Sequence, residues 1–422
     1  MNQAADPVWR QAIAGAQILF VAFGATVLVP LLTGLNPSLA LLGAGIGTLI
    51  FQACTKREVP IYLGSSFAFI APVIYSVQTW GMPATLGALA CASFFYYVAA
   101  ALVKWRGVGL IHRLLPPVVI GPVVMVIGLG LAQVAVNMAM GRAGDKQIAP
   151  QNEALLVAGI ALVATMLTAI RARGLLKLVP ILVGVAVGYI AAAFLGMVDF
   201  SRVIGASWIA LPEFGHPEFN IAAILFMIPV AIAPIVEHVG GILAIGSVVG
   251  KDFTERPGLH RTLLGDGLAV SVAGLFGGPP VTTYGEVTGA VMLTRNYNPV
   301  VMTWAACFAI AMAFVGKFGA LLASIPMPVM GGIMMLLFGS IAGIGLKTLM
   351  DARVDILNPR NLCIISVTLV SGIGGLGMHI GGFSLQGISL CGVLAVLLNL
   401  LLPLPQPRAP ETTRADVSDT QV

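Results

Sequence analysis

Charge is what this 422-residue chain has least of: Asp, Glu, Lys and Arg make up 9% of it, against 58% hydrophobic residues and a mean hydropathy of +0.98. That shortage excludes an ordinary soluble domain, which carries roughly 25% charged residues. Cysteine is scarce too. Cys54, Cys91, Cys307, Cys363 and Cys391 stand singly within or at the ends of apolar runs, and no pair has metal-ligand spacing, so they read as small lipid- or core-facing residues. A Walker P-loop and a GxGxxG entering a helix are both missing, which leaves ATP-driven transport without local support and no cofactor expected. The N-terminal "MNQAADPVWRQ" lacks a signal-peptide cleavage pattern, so the first apolar run is expected to be kept. A net charge of +5 and a pI near 9.0 would fit a nucleic-acid partner, but the basic residues have a simpler explanation.

What is present is a series of apolar runs of membrane-spanning length. Fourteen candidates can be placed between the N-terminus and the polar tail, the third and tenth being short and broken by polar residues. With a cytoplasmic N-terminus, fourteen spans put all of the 22 Lys and Arg inside except Arg142, Lys146, Arg202 and Lys317. The positive-inside rule produces such a skew, and dropping one span would scramble it. No nucleic acid is needed. Connections are short, with Gly, Pro or Asn at the joints ("TGLNPS", "WGMPAT", "NYNP"). The long external loop from Asp199 to Asn220 carries Trp208 and is expected to hold a small structured element. The tail "PQPRAPETTRADVSDTQV" reads as disordered.

The two short spans are the informative ones. "VTTYGEVTGAVMLTR" (281–295) follows Pro279 and Pro280 and carries Glu286 near its centre, where a charge costs roughly 2.5–3.5 kcal/mol by insertion scales. As an α-helix residues 281–294 would reach only about 21 Å, short of about 30 Å of hydrocarbon. An extended start over Thr282, Thr283 and Tyr284 followed by a half-helix closes that gap. "PIYLGSSFAFIAP" (60–72) has the same build, with Pro60, Gly64 and small polar residues ahead of a helix. Interrupted spans at matching places in two halves point to an inverted-repeat transporter site. The expected fold class is therefore an all-α polytopic membrane protein, fourteen transmembrane segments in a 7+7 inverted repeat, with two broken spans at the substrate site.

Three acids fall in or near the hydrocarbon: Glu237, Asp266 and Glu286. Glu237 and Glu286, on separate spans at mid-membrane depth with no Lys or Arg beside them, are the expected solute or proton groups. His238 points about 100° away from Glu237 around its helix and reads as a packing or water-facing residue rather than a ligand. Asp266, in "LLGDGLAVS", reads equally as a cap in a Gly-rich segment or as a functional acid. Where the broken spans turn helical, backbone N–H groups near Ser66–Phe67 and Gly285–Glu286 are placed to hold carbonyl oxygens. Phe67 offers a ring for stacking, and the carboxylates accept N–H groups. A flat ring with alternating N–H and C=O suits this set, as would another small polar solute.

"AFGATVLVP" (22–30), "YLGSSFAFI" (62–70), "VEHVGG" (236–241), "TTYGE" (282–286) and "PMPVMGG" (326–332) resemble the nucleobase–ascorbate transporter family, nearest its uracil permeases. The resemblance runs from about residue 10 to 400. It implies a core domain of spans 1–4 (10–104) and 8–11 (221–324), a gate domain of spans 5–7 (105–200) and 12–14 (325–404), a cytoplasmic tail (405–422), and a homodimer. It implies uracil import across the inner membrane with both termini cytoplasmic, by proton symport through Glu237 and Glu286. Glu237 and Glu286 would bind the pyrimidine, Phe67 would stack, the backbones of Phe67 and Gly285 would meet carbonyls, Ala25 would line the pocket and Tyr284 would support it. The chain departs from the family at Ile18 and Gly241, where histidines are usual, at Val287 for Asn, and at Phe338 for an aromatic hydroxyl. The carboxylates themselves are then expected to carry the proton.

The alternatives are the same fold carrying xanthine, urate or another oxo-base, and a facilitator without proton coupling. An intramembrane enzyme, read from "GSSF" with His238 or His379 as base, rests on four residues and leaves two buried acids without a role. A channel would want rings of like residues lining a pore.

Overall fold

The computed structural model describes residues 7–144, 146–380 and 383–403, and the tail expected to be disordered lies outside them. Helices dominate. The first half begins with α1 (Val8–Thr33) and α2 (Pro37–Cys54), separated by Gly34 in the left-handed region at φ 76°. Asn36 caps α2, its side chain accepting from the Ser38 N–H at 2.8 Å, with Pro37 in the first helical position. A three-residue strand β1 (Leu63–Ser65) then leads through a single 3₁₀ turn into α3 (Ile70–Ala92), followed by α4 (Phe94–Arg106). Gly81, at φ 84°, breaks α3 into two pieces, so the third and fourth spans of the sequence meet there. The principal helices that follow are α5 (Pro117–Leu129), α6 (Gln151–Arg171) and α7 (Pro180–Phe194).

The second half repeats the order: α8 (Ile232–Val249), α9 (Leu259–Phe276), the strand β2 (Val281–Thr283), α10 (Gly285–Thr294) and α11 (Val300–Ala313). It closes with α12 (Met327–Asp351), α13 (Pro359–Ile373) and α14 (Ile388–Leu401). Helix, helix, strand with half-helix, helix thus occurs twice, and β1 pairs with β2 antiparallel, as an inverted repeat requires. Among the described residues, seven helical segments are long and apolar enough to cross a membrane, and four apolar helices of 10–17 residues accompany them. The loop from Asp199 to Asn220 contains the structured element expected of it, a short helix at Ser201–Gly205.

Two sets of helices pack tightly within themselves. In the first, α2 lies between α9 and α11. Its Gly43 and Gly47 face Ala273 and Ala269 of α9, and a Cβ on Gly45 would stand 2.7 Å from the Ala306 carbonyl of α11. Small residues let these backbones approach, which is how helices associate where lipid removes the hydrophobic drive. In the second set α12 packs on α5, α6 and α7, while α13 packs on α5 and α14. The sets touch where α8 meets α5 and α14, and where α1 meets α7.

Candidate functional site

The site grows from the β1–β2 crossing. The register is Leu63 opposite Thr283, Gly64 opposite Thr282 and Ser65 opposite Val281. Pro60 and the Pro279–Pro280 pair keep the incoming chain out of helix, so these residues extend. The ladder is continued at both ends: the Ser66 N–H donates to the Pro280 carbonyl at 2.8 Å and the Tyr284 N–H to Tyr62 at 3.2 Å. Side chains satisfy the rest. Thr48 accepts the Leu63 N–H at 3.0 Å, the Tyr284 hydroxyl donates to the Ser65 carbonyl at 2.8 Å, and the Ser65 hydroxyl donates to the Thr26 carbonyl at 2.7 Å. Non-helical backbone survives at membrane depth only when so enclosed. Gly64 must lack a side chain here, because its Cβ would enter the Tyr284 ring and stand 2.7 Å from Thr26 Oγ1.

From this crossing two helices start at mid-chain depth, with Phe67 and Gly285 as their first residues. Of the backbone donors expected to face a solute, that of Ser66 is taken by Pro280, which corrects its assignment. The buried Ser66 hydroxyl has no partner among the described residues. Phe67 is buried with its ring edge-on to Phe338, centroids 6.1 Å apart, so the residue that departs from the family pattern backs the Phe67 ring. Gly285 is exposed and has nothing within 4 Å of where a Cβ would lie; there is open space in front of it.

Glu286, in the first turn of α10, lines a cavity of about 190 Å³ with Val21, Lys177, Pro180 and Gly289. An adjoining cavity of about 210 Å³ shares Val21 and Ala290 and is lined by Gln17, Ile18, Thr294 and Asn296. Lys177 thus lines the same cavity as Glu286. Glu237 is partly buried on α8, which packs on α10, and its Oε2 has no hydrogen-bond partner among the described residues. Glu237 and Glu286 thus stand on two helices that pack against each other. Ala25 is fully buried in α1, one turn beyond Val21, and Tyr284 is buried behind the crossing. A Cβ on Gly241 would lie 3.1 Å from Thr283 Oγ1, so that face of α8 points at β2.

Two residues behave differently from their reading in the sequence. His238 and Asp266 are both fully buried, with Nδ1 and Oδ2 3.1 Å apart. The other ring nitrogen of His238 lies 3.0 Å from the Thr262 hydroxyl, which itself donates to the Leu259 carbonyl at 3.0 Å. Asp266 is therefore no helix cap, and His238 neither faces water nor merely packs. One signal was available in the sequence: Thr262 and Asp266 are four residues apart and share a helix face. Ser66, the serine that the Gly-x-Ser-x reading of "GSSF" would use, has no hydrogen bond to His238, which is engaged with Thr262 and Asp266, and the His379 side chain lies outside the description. Lys177 and Asn296, which line these cavities, carry no sequence signal that singles them out.

Residues 10–381 match the sequence model of the Permease family. The chain is 58% identical over 394 residues to a probable uracil permease of Pasteurella multocida, covering 93% of this chain and 94% of that one. It is 48% identical to the uracil permease of Bacillus caldolyticus, covering 94% of this chain and 92% of that one. For the uracil permease of Escherichia coli K12 the figures are 39% identity, 96% and 94%. The fold is that of the transmembrane domain of the cyanobacterial bicarbonate transporter BicA, with a TM-score of 0.67 at 15% identity over 94% of this chain and 98% of that one. It is also that of the murine anion transporter Slc26a9 in its inward-facing state, with a TM-score of 0.72 at 12% identity over 94% and 69%. With the family's motifs in place around a paired strand crossing, the chain belongs to the nucleobase–ascorbate transporter family of permeases.

Proposed function

We propose that the protein imports uracil across the cytoplasmic membrane by proton symport, with Glu237 and Glu286 as the solute-binding acids. The observation that carries this reading is a cavity at Glu286, with open space at Gly285, at the start of a helix that packs on the one bearing Glu237. Uracil has ring N–H groups for the acids and carbonyls for the Phe67 and Gly285 amides, while Phe67 covers a face of the ring. The names of the relatives favour the same solute.

In this reading the α1–α4 and α8–α11 set is the core and the α5–α7 and α12–α14 set is the gate. The basic residues face the cytoplasm with both termini, so the cavity that Glu286 shares with Lys177 opens inward. Two such chains form a homodimer. Two acids in a low-dielectric site do not both ionise cheaply, so one holds the symported proton. Ile18 and Gly241, where the family has histidines, are the observation that favours the second reading, a facilitator without proton coupling.

Uptake of labelled uracil into proteoliposomes, with and without an inward proton gradient, tests both. Accumulation should rise as external pH falls and collapse with an ionophore; equal uptake without the gradient sinks the symport. Glu237→Gln or Glu286→Gln turns one acceptor oxygen into a donor facing the solute's N–H, which costs at least about 1–3 kcal/mol. Calorimetry should find the affinity lower by about 5–150-fold in either variant. Parental binding by both folded variants would mean that the site lies elsewhere.

A further inference from the structure

We infer that His238 and Asp266 form a proton store, a pair that holds one removable proton and reports its loss through the hydroxyl of Thr262. The inference rests on the symport reading above, and on the hydrogen-bond arithmetic of one buried cluster.

The Thr262 hydroxyl has a single hydrogen and two acceptors in reach, the Leu259 carbonyl and His238 Nε2, each 3.0 Å away. When the hydrogen goes to Leu259, the hydroxyl oxygen can only accept from Nε2, which then carries a hydrogen of its own. Nδ1 then faces Asp266 Oδ2 at 3.1 Å. A bare nitrogen lone pair against a carboxylate oxygen at that distance would be repulsive, so a proton lies between them. Drawn on either atom, it leaves the pair neutral as a whole. Neither oxygen of Asp266 has any other hydrogen-bond partner among the described residues, and both side chains are fully buried. Phe51 of α2 closes the apolar side, its ring 6.2 Å from the imidazole.

Removal of the shared proton leaves a carboxylate and a neutral imidazole. The only favourable arrangement then puts the hydrogen on Nδ1, donating to Asp266, and makes Nε2 an acceptor. Thr262 must turn its hydroxyl from Leu259 to Nε2. The proton count of the pair is thereby written into the first turn of α9, where Leu259 begins the helix. Other titratable groups in the pair's field are Glu237 of α8 and Tyr96 of α4, with Glu286 of α10 acting on Glu237. Glu237 is the next residue to His238 and the only one of the three α8–α9 groups that is partly exposed. It is the group through which the proton leaves the buried pair. The pair supplies the relay that a side chain at Gly241 would otherwise provide.

The test uses the reconstituted full chain and the variants Asp266→Asn, His238→Gln and Thr262→Val. Without solute, infrared difference spectra between neutral and alkaline pH should contain a carboxyl or imidazolium signal that Asp266→Asn and His238→Gln both remove and Thr262→Val displaces in pH. With solute, uracil binding and uracil–uracil exchange should persist within about threefold, while gradient-driven accumulation falls by about tenfold or more. Accumulation at the parental level in both pair variants overturns the proposal. So does parallel loss of exchange and accumulation in both, which marks a purely structural pair. If Asp266→Asn does not fold, His238→Gln and Thr262→Val decide by the same readouts. Failure of the parent to transport uracil would overturn the solute assignment alone, because the solute-free spectra still judge the pair.

Discussion

Tyr284 makes a contact that a phenylalanine could not. Its hydroxyl donates to the Ser65 carbonyl across the strand crossing, in a place closed to water. Tyr284→Phe leaves that carbonyl without its donor and should cost about 1–3 kcal/mol. Thermal unfolding in detergent should show a lower midpoint, with weaker uracil binding because Phe67 and Gly285 lose their fixed spacing; an unchanged midpoint and affinity would mean the bond is dispensable. Glu237 and Glu286 of the proposed site stand out in the sequence because an unpaired acid in an apolar run is costly and so conspicuous. His238 and Asp266 do not, since they lie on different helices and local spacing cannot reveal a tertiary pair. The Ser66 amide was misjudged for a related reason. A donor at a helix start is free only if no strand claims it, and Pro280 does.

At the scale of elements, the broken spans could be read from Pro60, Pro279, Pro280 and a length too short for a helix. Their pairing with each other was not legible, because register between segments so far apart is set by side chains such as Thr48 and Thr26, which seal the edges. The division of α3 at Gly81 follows from the chain's one mid-helix glycine with φ 84° and ψ 169° among the described helices of this half, a backbone state that a residue with a Cβ rarely adopts. The orientation of all these elements can be tested with cysteine labels. Sites within residues 171–177 and 251–261 should react only from the cytoplasm, and sites near Gly215 only from outside. Equal access to all three would refute the topology.

For the whole molecule, transport in the proposed two-body arrangement needs α1 to move against α7. Gly24 of α1 makes this contact, and a Cβ there would lie 3.0 Å from Cβ of Ile181. That is near the spacing a disulfide spans, about 3.5–4.5 Å between Cβ atoms. The Gly24→Cys, Ile181→Cys double variant should crosslink under oxidation, stop uracil uptake, and recover on reduction. Continued uptake by the crosslinked protein would show that these helices do not separate. The composition announced a membrane bundle. How the bundle divides was less visible, because glycines such as Gly45 and Gly121 serve packing in both sets and mark neither.

The strand crossing also bears on how the chain is made. Ser65 and Tyr284 are 219 residues apart, so the ribosome delivers the first broken span long before its partner exists. During that interval β1 lacks the strand that satisfies its backbone, and lipid offers no substitute. The first half must therefore wait beside the insertion machinery, or with its polar backbone held in water, until the second half arrives. Biogenesis is then a step at which a substitution in β2 can abolish the protein without touching any residue that meets the solute.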